Sequence, residues 1–392
     1  MRIAVFGGSF DPVHNEHVTL ALRAVESLRL DKLFVMPASK PPHKPGKELT
    51  DDIHRLEMCR RAFFGNEKIT VSDYEIKKGG TSYTFETCRY FREQYPTADI
   101  FWIVGTDMLR DFPTWKNTQS ILCDVTLAVC ARNEEEGWLA KEKEDFFNRF
   151  SKTFEVIAYN GKDVSSTRIR VLLGAGENVD EFVPAPVVSY CKEHNLYVVE
   201  YAKEALSGLK ESRKEHSFLV AETAMKKAVE LKVSERKALI AGLFHDCAKN
   251  LTLESPPLKD FQLDERYKDV PESVLHQFTG AYLAEKFFGI TDEEILDAIR
   301  YHTSGKSRMS TLGKIVYLAD MVEKSRSYSG VEKLRSTFYE KGEEALDRCL
   351  FMALSRTMEY LKEKGAEVYP LTLEAYHYYK QGEKSNGKSN DE

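Results

Sequence analysis

The sequence has no Cys-x-x-Cys pair, no long apolar run and no surplus of positive charge. Each absence excludes something. Seven cysteines, an odd number without paired spacing, argue against a disulfide framework and fit a reducing cytoplasm. No stretch approaches the ~18 apolar residues that span a bilayer. A single arginine and a few apolar residues before two glycines do not make a secretory leader at the N-terminus. With 56 Lys+Arg against 62 Asp+Glu, the net charge of −6 gives no bulk attraction to nucleic acid or to an anionic membrane surface. Any anionic substrate must therefore be held by local cations. What is present is ordinary for a globular protein, 42% hydrophobic and 30% charged residues. A chain of 392 residues is too long for one core, so two domains are expected.

The first half alternates short β-rich runs with amphipathic segments. The runs are 3–6, 32–36, 69–76, 100–104, 125–130 and 154–159, and segments such as 18–28 and 53–64 lie between them. That rhythm predicts an α/β fold, a doubly wound parallel sheet whose ligands sit beyond the carboxyl ends of its strands. A last β run at 197–199 closes this part, and the boundary falls within 198–206. From there helical patterns take over, at 201–231, 235–248, 272–288, 292–302, 312–324 and 343–364, which predicts an all-α domain. The domains expected are 1–200 and 205–380. The Gly/Ser/Asn/Lys-rich end, 381–392, reads as disordered.

The strand 3–6 runs into Gly7, Gly8, Ser9 and Phe10, and His14 and His17 follow. Glycines let backbone N–H groups approach a phosphate, and a helix N-terminus adds partial positive charge. Histidines three apart in a first turn point the same way. A second cluster, Ser165, Ser166, Thr167, Arg168, Ile169 and Arg170, has hydroxyls at a helix cap and cations in the first turn. Arginines there oppose the helix dipole, and an anionic ligand compensates. The two clusters read as opposite walls of a triphosphate site. Lys40, His43 and Lys44 form a basic loop suited to close over phosphates.

The Gly-rich turn with its two histidines resembles the nucleotidylyltransferase superfamily, with Glu16 where that family usually has glycine. With the Ser165–Arg170 cluster and segments 37–44, 81–84, 104–107 and 113–115, the likeness over about 1–200 is to nicotinate-mononucleotide adenylyltransferases. The resemblance implies transfer of AMP from ATP to nicotinate mononucleotide with Mg²⁺, giving deamido-NAD and pyrophosphate. By motif, Gly105 and Asp107 would contact adenosine, and Thr81, Ser82, Tyr83, Thr84 and Trp115 would form the nicotinate pocket. His14, His17, Lys44, Thr167 and Arg170 would serve the transfer itself.

In the second half, His216, His245, Asp246, His276, His302 and Asp320 are spread over successive helical segments. Imidazoles and carboxylates without thiolates suit iron, manganese and similar divalent ions. Six such residues hold two ions if one carboxylate bridges, and Asp246, adjoining His245, is the candidate. Two close ions make hydroxide at neutral pH and stabilise phosphate charge. Lys249, one turn past Asp246, could hold a bridging phosphate, with Arg326 a weaker candidate. This ladder resembles the HD-domain phosphohydrolases, and over about 205–380 the branch that splits diadenosine tetraphosphate symmetrically into two ADP. The resemblance implies two divalent ions, iron first and manganese as the alternative.

The whole chain therefore reads as a cytoplasmic bifunctional enzyme. Its expected partners are ATP, nicotinate mononucleotide and dinucleoside polyphosphates, with no nucleic acid and no membrane. A homo-oligomer stays open. Two alternatives stand beside this reading: one domain senses nucleotide or metal without turnover, a view Glu16 motivates, or the second domain cleaves another nucleotide phosphoester.

Overall fold

The computed structural model describes residues 1–41, 48–131, 136–162, 164–267 and 269–386. The chain divides into two compact units. Among the described residues the first holds 1–41, 49–169 and 178–196, and the second holds 48, 170–177 and the chain from 197 onward. No helix among the described residues is long and apolar enough to cross a membrane.

The first unit is built on six parallel strands, β1 (Arg2–Gly8), β2 (Lys32–Pro37), β3 (Ile69–Val71), β4 (Asp99–Gly105), β5 (Thr126–Ala131) and β6 (Glu155–Ala158), in the order β3-β2-β1-β4-β5-β6. Continuous apolar strands covered on both faces by helices are what a parallel sheet demands, and Ile3, Ala4 and Val5 are fully buried. The order reverses between β1 and β4, where Phe6 lies opposite Ile103. Gly7-Gly8 and Val104-Gly105 consequently leave the sheet side by side at its switch point. Space is tight there, since a Cβ on Gly7 would sit 3.2 Å from the Trp102 ring.

Two runs differ from the sequence expectation. Only Ile69–Val71 of 69–76 is a strand, because the Ser72 hydroxyl accepts the N–H of Tyr74 and turns the chain into the helix Tyr74–Lys78. Residues 197–199 form no strand, since Tyr197 takes a left-handed φ of 67° that an extended run does not allow.

The second unit is helical. The expected helix 201–231 is two, Ala202–Ser207 and Glu211–Glu230, parted at Gly208. Helix Glu235–Phe244 stops just before His245, and helix Glu293–Arg300 stops just before Tyr301-His302, so both histidines occupy the turns that follow. At Gly242 a Cβ would lie 2.5 Å from the Ala221 Cα, so glycine lets two helices nearly touch. The helix Pro370–Asn386 continues into the segment expected to be disordered, and 387–392 lie outside the described residues.

Candidate active sites

In the first unit, the turn after β1 is braced from beneath. Arg55, wholly buried, donates from Nε to the Thr50 carbonyl and from Nη1 to the Ser9 carbonyl, both at 2.8 Å, and pairs with Asp52. Phe10 adopts φ 48°, and its ring packs edge-on to both Phe6 and His17. His14 is the N-cap of the helix Asn15–Ser27, and its ring stacks on that of His17 with centroids 3.6 Å apart.

His17 Nδ1 accepts the His14 N–H at 3.2 Å, which leaves the imidazole proton on Nε2 as a donor. Burial pushes the His14 pKa down to about 4, so this ring is neutral, and its Nδ1 has no hydrogen-bond partner among the described residues. A neutral His14 ring stacked beside the His17 Nε2 donor suits oxygen atoms of a phosphate.

The second cluster opens a helix. Ser165 caps the helix Ser166–Gly174 by accepting the Arg168 N–H at 3.1 Å. The Ser166 hydroxyl donates to the Pro12 carbonyl at 3.1 Å, which ties the two motifs together although 154 residues separate them. Thr167 occupies the same first turn. Arg170 departs from its expected role. Its guanidinium is buried and pairs with Glu235 at 2.6 Å inside the second unit, so a protein carboxylate, not a phosphate, takes its charge. Lys44 and His43 lie outside the described residues.

Gly105 ends β4, and Asp107 in the following turn points back so closely that a Cβ on Gly105 would meet its Oδ1 at 2.6 Å. In the segment 81–84, Ser82 accepts the Ser39 N–H at 3.0 Å, and Tyr83 precedes the helix Thr84–Gln94 with the Lys116 ammonium 4.2 Å above its ring. Trp115 is 7% exposed and packs on Phe112 within the hydrophobic core, so little of it faces any ligand. Glu16 is the remaining departure from the family pattern. The Tyr159 hydroxyl, beyond β6, donates to its carboxylate.

In the second unit the six expected residues converge. His216, His245 and Asp246 bring one set of donor atoms within 4.8 Å of one another, and Asp246, His276 and His302 another. Asp246 divides its two oxygens between these groups. Oδ1 faces His276 Nε2 at 3.2 Å and His302 Nε2 at 3.6 Å, and Oδ2 faces His245 Nε2 at 3.5 Å. Asp320 Oδ1 lies 2.8 Å from His216 Nε2.

The outer nitrogens fix the tautomers. His245 Nδ1 is 2.7 Å from the Gly242 carbonyl and His302 Nδ1 is 2.8 Å from the Ile299 carbonyl. A carbonyl only accepts, so both rings carry their proton outside and turn a bare Nε2 lone pair inward. Among the described residues His245 Nε2 has no hydrogen-bond partner. His216 is oriented likewise by Glu323, 3.1 Å from its Nδ1. Burial alone would lower its pKa, but the Asp320 and Glu323 carboxylates outweigh it and raise the value.

Burial works to raise the Asp246 pKa, but His245, His276 and His302 hold it well below the usual carboxylate range. An ionised carboxylate among inward lone pairs is a donor set that fits divalent cations.

Three cations surround this centre. Arg213 meets Asp246 Oδ2 at 3.0 Å, Lys249 lies 3.9 Å from Oδ1, and Arg326 pairs with Asp320. Sequence reasoning missed Arg213 and Glu323. Each stands one helical turn from a named residue, Arg213 before His216 and Glu323 after Asp320, and that spacing was the available signal.

Comparison with known proteins bears on both units. A cytidylyltransferase-like family model matches residues 5–172, and an HD domain model matches residues 213–325. A Clostridium tetani protein named "Probable nicotinate-nucleotide adenylyltransferase" is 36% identical over 195 residues, covering 50% of this chain and 98% of that one. A Mycoplasma genitalium protein named "Probable nicotinate-nucleotide adenylyltransferase/Ap4A hydrolase" is 28% identical over 327 residues, 83% of this chain and 88% of that one. The crystal structure of a "predicted HD superfamily hydrolase involved in NAD metabolism" from Clostridium acetobutylicum aligns with TM-score 0.41 and 35% identity over 46% of this chain and 95% of that one. With its N-terminal half the chain belongs to the nicotinate-nucleotide adenylyltransferase family, in a form that continues into an HD domain.

Proposed function

We propose that the chain carries two nucleotide activities: adenylyl transfer from ATP to nicotinate mononucleotide in the first unit, and symmetrical hydrolysis of diadenosine tetraphosphate to two ADP in the second. The first is supported by the bond from Ser166 to the Pro12 carbonyl, which joins both phosphate motifs. A phosphate oxygen of nicotinate mononucleotide attacks the α-phosphorus of ATP, and the bond to the bridging oxygen breaks to release pyrophosphate. The chain supplies position and charge stabilisation, not covalent chemistry. His17 Nε2–H and the His14 ring hold phosphate oxygens, and the Ser165, Ser166 and Thr167 helix start holds them from the other side. Gly105 and Asp107 receive adenosine, and Thr81–Thr84 with the edge of Trp115 borders the nicotinate ring. Mg²⁺ arrives on the triphosphate, as it does where phosphates supply most of its ligands.

The observation that carries the second activity is the shared Asp246, whose two oxygens serve two groups of histidines. His216, His245 and Asp320 would hold one ion and His276 and His302 the other, with Asp246 between them. Bound there, iron or manganese would supply hydroxide and neutralise phosphate charge. The chain's own cations, Arg213, Lys249 and Arg326, line up the polyphosphate so that water adds to one of its two central phosphorus atoms and the bond from that atom to the oxygen bridging them breaks, giving two ADP. This reading takes the protein to be cytoplasmic.

The test is direct. Pure protein with ATP and nicotinate mononucleotide should release pyrophosphate, and with diadenosine tetraphosphate and Fe²⁺ or Mn²⁺ it should release only ADP. Absence of either product removes that half. AMP with ATP as products would make the cleavage asymmetrical, and turnover of a different nucleotide phosphoester alone would favour the alternative substrate.

A further inference from the structure

Two clefts open on either side of Asp246, and their linings differ in kind. One, of about 620 Å³, is lined by Leu251, Leu253, Leu275, Glu254 and Glu272, with Lys249 and His276 at its inner end. The other, of about 390 Å³, is lined by Arg213, Arg326, Ser212, Ser325 and Ser327, with His216, Tyr328 and Glu323, whose carboxylate is already taken by His216 and by the Ser325 hydroxyl and N–H. Both fall within the roughly 300–1,000 Å³ usual for ligand pockets. The first has three leucines and two carboxylates, with the Thr252 and Ser273 hydroxyls between them, and its one lysine stands at the Asp246 end. Carboxylates repel phosphate but accept hydrogen bonds from ribose hydroxyls and base amino groups, and Leu253, 52% exposed, offers a flat apolar cover.

The second has two guanidiniums and three hydroxyls, the groups that bind phosphate oxygens. Its rings are already used: His216 lies between Asp320 and Glu323, and Arg356 stacks 4.6 Å from the centroid of Tyr328, whose hydroxyl donates to the Met321 carbonyl at 2.9 Å.

Resting on the hydrolase reading above, we infer that only the leucine-lined cleft holds a nucleoside, and that the arginine- and serine-lined cleft holds the far phosphates whatever they carry beyond. A second nucleoside is then dispensable. The site takes nucleoside 5′-tetraphosphates as well as dinucleoside tetraphosphates. For adenosine 5′-tetraphosphate, water adds to phosphorus and the P–O bond between the second and third phosphates breaks. The products are ADP and pyrophosphate, and a proton goes to solvent.

Full-length protein with Mn²⁺ is assayed on adenosine 5′-tetraphosphate beside diadenosine tetraphosphate. The expected result is ADP and pyrophosphate, with kcat/KM within about tenfold of the dinucleotide value. Cleavage of the dinucleotide alone overturns the inference and leaves the hydrolase reading intact, whereas cleavage of neither overturns both. Calorimetric titration supplies a readout apart from turnover. Leu253→Glu, at an exposed position, should weaken adenosine binding about tenfold and leave pyrophosphate binding unchanged, and Arg326→Gln should do the reverse. Equal losses for both ligands in either variant also overturn the assignment.

Discussion

The Tyr159 hydroxyl holds the Glu16 carboxylate within the first unit, from just beyond β6 to the first turn of the Asn15–Ser27 helix. The contact is close enough that a Cβ on Gly161 would overlap both groups. On the proposed ATP site, a carboxylate a few ångströms from the nucleotide at an effective dielectric near 20 would cost about 1–4 kcal/mol, and the Tyr159 hydrogen bond would hold it aside. Tyr159→Phe is therefore expected to raise the KM for ATP by about fivefold or more, while Glu16→Gln leaves kcat/KM nearly unchanged. In the double variant the Tyr159→Phe defect should disappear, and steady-state kinetics of pyrophosphate release checks all three. A large gain in rate from Glu16→Gln would mean that the carboxylate still opposes the nucleotide.

Arg55 should support the proposed ATP site through the loop that follows β1. Its guanidinium carries the Ser9 carbonyl, the Thr50 carbonyl and Asp52 at once. Arg55→Met leaves the part-buried Ser9 and Thr50 carbonyls without their donor and frees the loop, at a cost of about 1–3 kcal/mol. Urea unfolding followed with ATP titration should show both lower stability and weaker nucleotide binding.

Acid should weaken the first unit through His14. Its folded pKa of about 4 lies below the ordinary 6.5, so the folded state binds fewer protons than the unfolded chain between those values. That contribution is fully present above about pH 6.5 and is lost as pH falls toward 4, up to about 3 kcal/mol. His14→Gln should flatten this part of the stability–pH curve, measured by denaturant midpoints from pH 7.5 to 4.5. An unchanged slope would show that His14 is protonated in the fold.

Metal content should divide with the donor groups of the second unit. Asp246→Ala removes a ligand from both groups and should leave less than one ion per chain, whereas His276→Gln should spare the group that contains His216 and His245. Glu323→Gln, which loosens the orientation of His216, should cost about 10–100-fold in metal affinity. Elemental analysis after dialysis against graded chelator separates the three.

The parts of these sites legible in sequence are those whose signal is local. The glycines before His14 and His17, the Ser165 cap and the His245-Asp246 pair each announce themselves within a few residues. The ladder of histidines was legible because few residues of that type exist to be placed, 10 in all. Arg170 shows the limit. Its position in a first helical turn suggested a phosphate, but its partner is Glu235, 65 residues away, and nothing in the local pattern names it. Arg55 and Tyr159 were missed for the same reason: their partners are a backbone carbonyl 46 residues away and a carboxylate 143 residues away. Helix ends were blurred too, because apolar spacing continues past Phe244 and Arg300 while the backbone does not, and the two turns so formed are what aim His245 and His302.

The near-contact of Gly242 with Ala221 makes helix separation a dimension of the metal centre. His216 lies five residues before Ala221, and His245 three after Gly242, so the gap between the two helices sets how far apart two inward lone pairs stand. Neither small residue owns a donor atom. Yet one methyl group added at position 242 would act as a wedge, spreading a spacing that a cation tolerates only within a few tenths of an ångström.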